Sequence, residues 1–241
     1  MNSFNGWINV FKPKNISSFG VIKKIKKKFN VLKIGHAGTL DPNAEGILPV
    51  AIGKTTKLTS LVNDQIKSYE FDVKWGEQTS TDDSEGEIIG TSRNIPSKEI
   101  IENNLSKFIG SIMQKPPKVS AVKINGKRAY KRFLNNEVFE TKKKLVKVYD
   151  LKLVNHIMTN ITKFHVDCGK GFYVRSLARD ICKELGVDGY VVNLKRVKSE
   201  PFDLKNSISI KEFLKLYEKN DWKNFFLPIY SVLNKIKYVG K

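Results

Sequence analysis

The sequence predicts a globular fold assembled from both β-strands and α-helices, and three observations carry that expectation. Hydrophobic residues make up 40% and aromatic residues 10% of the 241 positions, enough for a core rather than a disordered chain. Tyr69, Phe71, Val73 and Trp75 alternate with Glu70, Asp72 and Lys74, the period of a half-buried strand. Val21, Ile22, Ile25 and Phe29 recur at helical spacing, and Lys23, Lys24, Lys26, Lys27 and Lys28 cover the remaining surface of that helix. The length fits one large domain or two small ones.

The first element is a strand over Gly6–Lys12, stopped by Pro13. Asn15, Ser17 and Ser18 then offer caps for the lysine-rich helix. Residues 34–50 follow and organise the chain. They hold three glycines, two prolines, His36 and the carboxylates Asp41 and Glu45. Glycine at this density permits close backbone approach or positive φ. Asp41 precedes Pro42, which pushes it toward extended geometry and places it on a loop. The apolar run Ile47, Leu48, Val50, Ala51 and Ile52, closed by Gly53, reads as a buried strand that anchors the loop. Two readings of Asp41 stand at this point: a reactive carboxylate on a rigid loop, or a turn cap beside a structural His36.

The Tyr69–Trp75 strand leads into a polar loop, Gly76–Gly86, with Asp82, Asp83 and Glu85. A metal site and a solvated turn are both open, and the solvated turn is the preferred expectation. Ser97 starts a helix with the stripe Ile101, Leu105, Phe108 and Ile109, stopped at Gly110. Pro116-Pro117, the turn signal Asn125-Gly126 and the basic residues around them predict a hairpin and a short helix. With Lys142, Lys143 and Lys144, residues 114–145 read as an exposed basic excursion.

Leu145–Leu153 and the alternating Phe164, Val166 and Cys168 give two more strands. After Gly169-Lys170-Gly171 a helix turns Val174, Leu177, Ala178, Ile181 and Leu185 inward, with Arg175, Arg179 and Lys183 on another stripe. Arg175 occupies the first turn, where the helix dipole is positive, a placement that points to an anionic partner or to a chance surface arginine. Val191–Val197 is a further strand, and Ser209 with Glu212 matches a capping box before the last helix. Cys168 and Cys182 are too few for a disulfide framework or a metal set and are expected in the core.

Forty-three basic against twenty-four acidic residues give a formal charge of +19. Such an excess suits a polyanion, whether nucleic acid or an anionic membrane face; a generally lysine-rich composition is the competing explanation. No apolar run approaches the roughly 20 residues of a membrane span. The first residues lack the basic-then-apolar pattern of a signal peptide, so a cytoplasmic protein is expected.

Taken together, the separated motifs resemble the TruB-type tRNA pseudouridine-55 synthases. Gly6-Trp7-Ile8 with Lys12-Pro13 is similar to the opening signature of that family. Gly35-His36-Ala37-Gly38-Thr39-Leu40-Asp41-Pro42 resembles its nucleophile loop, and Tyr69 with Gly76, Thr79, Thr81 and Asp82 its tyrosine strand. Pro116-Pro117, Ser120–Lys123, Gly126 and Arg128-Ala129-Tyr130 resemble its RNA-gripping insertion. Gly171–Asp180 is similar to its arginine motif and Leu194-Lys195-Arg196 to its late strand.

The resemblance implies an α+β pseudouridine synthase fold: a central mixed, mostly antiparallel sheet, flanking helices and a basic insertion. It implies residues 1–230 as one catalytic domain and 231–241 as a short tail. It also implies isomerisation of a T-loop uridine of tRNA, without cofactor or metal, by a monomer that meets no membrane. Asp41 would be the nucleophile and Arg175 its charge partner. Tyr69 would contact the flipped base, His36 would enter the RNA loop, and Tyr173 and Leu194 would complete the substrate-binding set. Phe11 and Lys195 depart from the family pattern, the former replacing a polar residue and the latter an arginine, and receive no binding role. Nothing after Tyr230 matches the small C-terminal RNA-binding domain of many relatives. Two other classes compete: a non-catalytic RNA-binding protein on the same fold, and a metal-dependent phosphoesterase using His36, Asp41, Asp82 and Asp83.

Overall fold

The computed structural model describes residues 4–29, 33–158, 160–218 and 221–236. The side chain of Phe29 and the last five residues of the expected tail lie outside that set. In chain order the first elements are β1 (Gly6–Lys12), α1 (Ser18–Phe29), β2 (Ile34–His36), β3 (Glu45–Ile52), α2 (Thr59–Asn63) and β4 (Lys67–Trp75). Next come β5 (Glu77–Thr79), β6 (Ile88–Thr91), α3 (Lys98–Leu105), β7 (Gly110–Gln114), β8 (Lys123–Ile124), β9 (Lys127–Arg128) and α4 (Ala129–Leu134). The long pair β10 (Lys144–Met158) and β11 (Ile161–Cys168) precedes α5 (Val174–Leu185) and β12 (Gly189–Ser199). The chain closes with β13 (Phe202–Asp203), β14 (Ile208–Ser209), α6 (Ile210–Glu218), β15 (Phe226–Pro228) and α7 (Ile229–Leu233).

The chain divides into two compact units, residues 1–69 with 194–241, and residues 70–193. The divisions fall inside β4 and inside β12.

In the first unit, β1 and β3 are antiparallel neighbours along their whole length, from Gly6 opposite Ile52 to Lys12 opposite Gly46. Parallel β14 and antiparallel β15 extend β1, while antiparallel β2 and parallel β12 share the other edge of β3. Both central strands are almost wholly buried, which is why they read as continuous apolar runs rather than alternating ones. Ile8, Val10, Leu48, Val50 and Ile52 pack against Val21, Ile22 and Ile25 of α1 and Phe213 of α6. The other face gathers Trp7, Ile47, Ala51, Val62, Phe202 and Val232. Burying each such side chain contributes about 1.5–3 kcal/mol. Ser17 accepts the Gly20 N–H at 3.0 Å and so caps α1, as expected; Ser18 does something else, described below.

In the second unit the strand order is β4, β11, β10, β7, with β10 antiparallel to both of its neighbours. Its core stacks Phe71 on Phe164 at 5.2 Å between ring centres, with the Trp75 ring edge-on to Phe164 at 6.4 Å. The Trp75 indole N–H donates to Thr162 Oγ1 at 2.8 Å, giving the buried ring a polar partner. β4 departs from the half-buried expectation, because Ser68 and Asp72 on its opposite face are buried too. Asp72 tolerates this through Lys163 at 3.3 Å and the Asn193 amide at 2.9 Å. The Asn125-Gly126 turn joins β8 to β9 with both residues at positive φ, as the sequence signal required. The excursion from 114 to 145 is less exposed than expected: Pro116, Pro117, Ser120 and Thr141 at its root are buried. Strand β7 carries no sequence signal, since Ile112 and Met113 are adjacent and flanked by glycine, serine and glutamine, which leaves no alternation. Cys168 and Cys182 are free and buried, as anticipated.

Candidate active site

Asp41 sits in the loop between β2 and β3, at an intermediate exposure, beside the exposed Pro42. Its own carbonyl accepts the Ala44 N–H at 3.1 Å, closing a tight turn. The loop is held from several sides. Ser18, freed from capping duty, donates its hydroxyl to the Leu40 carbonyl at 3.0 Å and accepts the Leu40 N–H at 2.9 Å. Both backbone groups of the residue before Asp41 are thus fixed to the start of α1. Ala37 donates to the Pro49 carbonyl at 2.9 Å.

Lys12 lies beneath the loop and is fully buried. Its ammonium donates to the carbonyls of Pro13 at 2.9 Å, Ile16 at 2.7 Å and Pro42 at 3.0 Å, using its three protons. Burial pushes its pKa down to about 8, while the nearby charge of Asp41 opposes that fall. A protonated Lys12 therefore adds positive potential beneath Asp41. Lys67, also buried, donates to the Asn63 and Gln65 carbonyls at 2.7 and 2.9 Å. Arg196 on β12 is 1% exposed and reaches two carbonyls of the loop's ends. His36 ends β2; burial and then the Arg196 charge lower its pKa, so it is neutral at pH 7. Its Nδ1 is buried without a hydrogen-bond partner among the described residues. Leu194 is half-buried on β12, on the same side of the strand as Arg196 two residues later. Tyr69 is 8% exposed on β4. The Lys195 ammonium lies 5.6 Å from the ring centre of Phe11 and 3.8 Å from Glu45, so the two residues that depart from the pattern meet each other.

The second unit holds Tyr173 and Arg175 at the start of α5. The Gln114 side chain clamps Tyr173, accepting its N–H at 2.8 Å and donating to its carbonyl at 3.0 Å. Ser176 donates to the Lys115 carbonyl at 2.8 Å. Arg175 is 3% exposed, which excludes the chance surface arginine. It donates to the carbonyls of Thr81 at 3.1 Å and Val119 at 2.9 Å and lies 3.2 Å from the Asp83 carboxylate. Asp82 pairs with Arg179 at 2.7 Å. Burial raises the Asp82 pKa, with Arg179 the main opposing influence. The solvated turn expected over 76–86 is therefore corrected: two of its acids are sheltered and paired with α5. A divalent cation there would have to displace two guanidinium groups. The described residues contain no cluster of three His, Cys, Asp or Glu able to hold a metal.

Against known proteins, the model of the TruB family pseudouridylate synthase N-terminal domain matches residues 26–174. The chain belongs to the TruB family. Among curated relatives of this TruB chain, the tRNA pseudouridine synthase B of Ehrlichia ruminantium is 46% identical over 235 residues, covering 97% of this chain and 79% of the relative. That of Rickettsia bellii is 45% identical over 226 residues, covering 91% and 76%. Among solved structures, a crystal structure of a Cbf5–Nop10–Gar1 complex aligns with a TM-score of 0.76 at 26% identity. It covers 95% of this TruB chain, which spans 62% of that one. An H/ACA RNP bound to a substrate RNA containing 2′-deoxyuridine shares the fold, with a TM-score of 0.73 at 23% identity.

Sequence reading missed the clamps of this TruB site. From the sequence, Lys12 stands out only as the residue before Pro13 and Arg196 only as the end of Leu194-Lys195-Arg196. A lysine at the end of a strand that is apolar apart from Asn9, Trp7-Ile8-Asn9-Val10-Phe11-Lys12, is the available signal for the first.

Proposed function

We propose that this TruB family protein converts uridine 55 in the T-loop of tRNA to pseudouridine, with Asp41 as the nucleophile. The observation that carries the reading is the loop itself. An acid at the apex of a glycine-bounded turn has the residues around it fixed by Ser18, Lys12 and Arg196. Rigid placement of a reacting group is what a carboxylate nucleophile requires.

The reaction breaks the bond between C1′ and N1 of the uridine and forms one between C1′ and C5. The C5 proton is lost and N1 gains one, so atoms and oxidation state balance without metal or cofactor. Asp41 acts as a carboxylate, either on the sugar or on the base. Arg175 supplies the guanidinium that the family pattern assigns to the Asp41 carboxylate. The target base must leave its stack, at a cost of a few kcal/mol. Tyr69 offsets about 1–3 kcal/mol of that by stacking. His36, neutral, enters the RNA loop, and Tyr173 and Leu194 line the path of the flipped nucleotide. The lysines of α1 and of the 114–145 excursion hold phosphates. Residues 1–230 act as one catalytic domain, in the cytoplasm and as a monomer.

The test is an unmodified tRNA transcript incubated with the wild type and with Asp41→Asn. Wild type forms pseudouridine at position 55, unaffected by a chelator, and Asp41→Asn lowers the rate at least about 1,000-fold. Equal yields from the two proteins overturn the assignment.

A further inference from the structure

One edge of β3 is divided between two partners. β2 pairs with its end, Gly35 opposite Ala51 and His36 opposite Val50. β12 takes its start, Lys195 opposite Glu45 and Arg196 opposite Gly46. Between these pairings the chain forks. Ala37 still reaches Pro49, then Gly38 turns at a φ of 81° and the loop leaves toward Asp41. The Ile47 carbonyl falls inside the fork, where neither strand's register extends.

Arg196 fills that fork. Its Nε donates to the Ile47 carbonyl at 2.7 Å and one terminal nitrogen donates to the Gly38 carbonyl at 2.9 Å. One planar group thus joins the residue where the loop departs to the strand by which it returns. The main chain beneath is fixed as well. A Cβ on Gly46, whose φ is 112°, would lie 2.2 Å from the Arg196 carbonyl oxygen, and one on Gly38 would lie 2.9 Å from the guanidinium. Gly38 in the loop and Gly46 at the start of β3 are therefore shaped around this arginine.

We propose that Arg196 is a positioning residue for the isomerisation, a clasp that sets where the Asp41 carboxylate stands without itself touching RNA. The inference rests on Asp41 being the nucleophile. Two donors on a rigid fork can span two diverging carbonyls; a lysine ammonium in the same place is a single point on a flexible stem. A buried guanidinium is costly to desolvate. Filling the fork for stability alone would not need a charge. Displacing a reacting group by about 1 Å costs turnover on the order of 100-fold while leaving surface contacts to the substrate intact.

The experiment compares wild type, Arg196→Lys, Arg196→Gln and Asp41→Asn on a T-stem-loop RNA, measuring kcat, KM, RNA affinity and thermal melting. Arg196→Lys is expected to melt cooperatively, bind RNA within about twofold of wild type and lose about 10- to 100-fold in kcat. Arg196→Gln falls further in kcat with the same affinity. A kcat for Arg196→Lys within about twofold of wild type overturns the clasp. So does a parallel decline of kcat and affinity that follows the folded fraction, or failure of both arginine variants to fold, since each makes the residue merely structural. Asp41→Asn separates the two claims. If it turns over, the nucleophile is misassigned; if it is inert while Arg196→Lys is fully active, the clasp alone fails.

Discussion

A lysine and two glycines show what single positions contribute. Folded Lys12 titrates near 8, whereas an unfolded lysine titrates near 10.5. Between those values the unfolded chain binds the extra proton, so this group's contribution to stability is lowest below pH 8 and rises as pH climbs toward 10.5. The difference is worth about 3 kcal/mol. Urea unfolding of wild type and Lys12→Met at pH 7.5, 9 and 10.5 should therefore show wild type gaining on the variant by up to that amount. A difference independent of pH would contradict the buried, charged lysine. Gly46→Ala meets both a left-handed φ and the Arg196 carbonyl at 2.2 Å. It should cost at least about 2 kcal/mol, read in the same assay. Gly171 also has a positive φ of 75°, but its added Cβ would meet nothing within 4 Å; Gly171→Ala should cost about 1 kcal/mol.

At the scale of elements, α5 begins with a buried arginine where the helix dipole disfavours a cation. The sequence flagged that conflict, and the fold answers it with an acid from the loop at 76–86 and two main-chain carbonyls. Removing the acid should be costly because the guanidinium stays buried. Asp83→Ala is expected to lose about 3 kcal/mol, more than Lys74→Ala, whose Glu77 partner is at the surface and worth less than about 1 kcal/mol. Chemical denaturation distinguishes them. Elements with a local signature were legible: Ser97 caps α3 by accepting the Ile100 N–H at 3.3 Å, and Ser209 caps α6 through Glu212 at 3.1 Å. Strands β7 and β14 were not, because five and two residues carry no period and are stabilised by neighbours distant in the chain.

For the molecule as a whole the charge of +19 is the dominant property. Lys142, Lys143 and Lys144 are exposed at and just before the start of β10. If they meet phosphates, replacing all three by alanine should weaken tRNA binding and reduce the slope of log affinity against log salt by about 2–3. Unchanged binding and slope would move the interface elsewhere. Pairs such as Lys107 with Glu184 are the contrast, since their charge is already answered within the protein.

The sequence alone determined the mixture of helices and strands, the buried strand behind the loop and the loop position of Asp41, because glycine, proline and periodicity act through neighbours in the chain, and its separated motifs carried the resemblance to the family. Only the tertiary structure decided how that loop is held. Lys12 meets Pro42 thirty residues on, and Arg196 meets Gly38 across 158 residues. The same holds for Asp82 and Asp83, which read as solvated until α5 placed two arginines against them. A charge on a strand looks like a surface residue in one dimension. Whether it is buried, and which carbonyls or carboxylates compensate it, depends on contacts that local spacing does not encode.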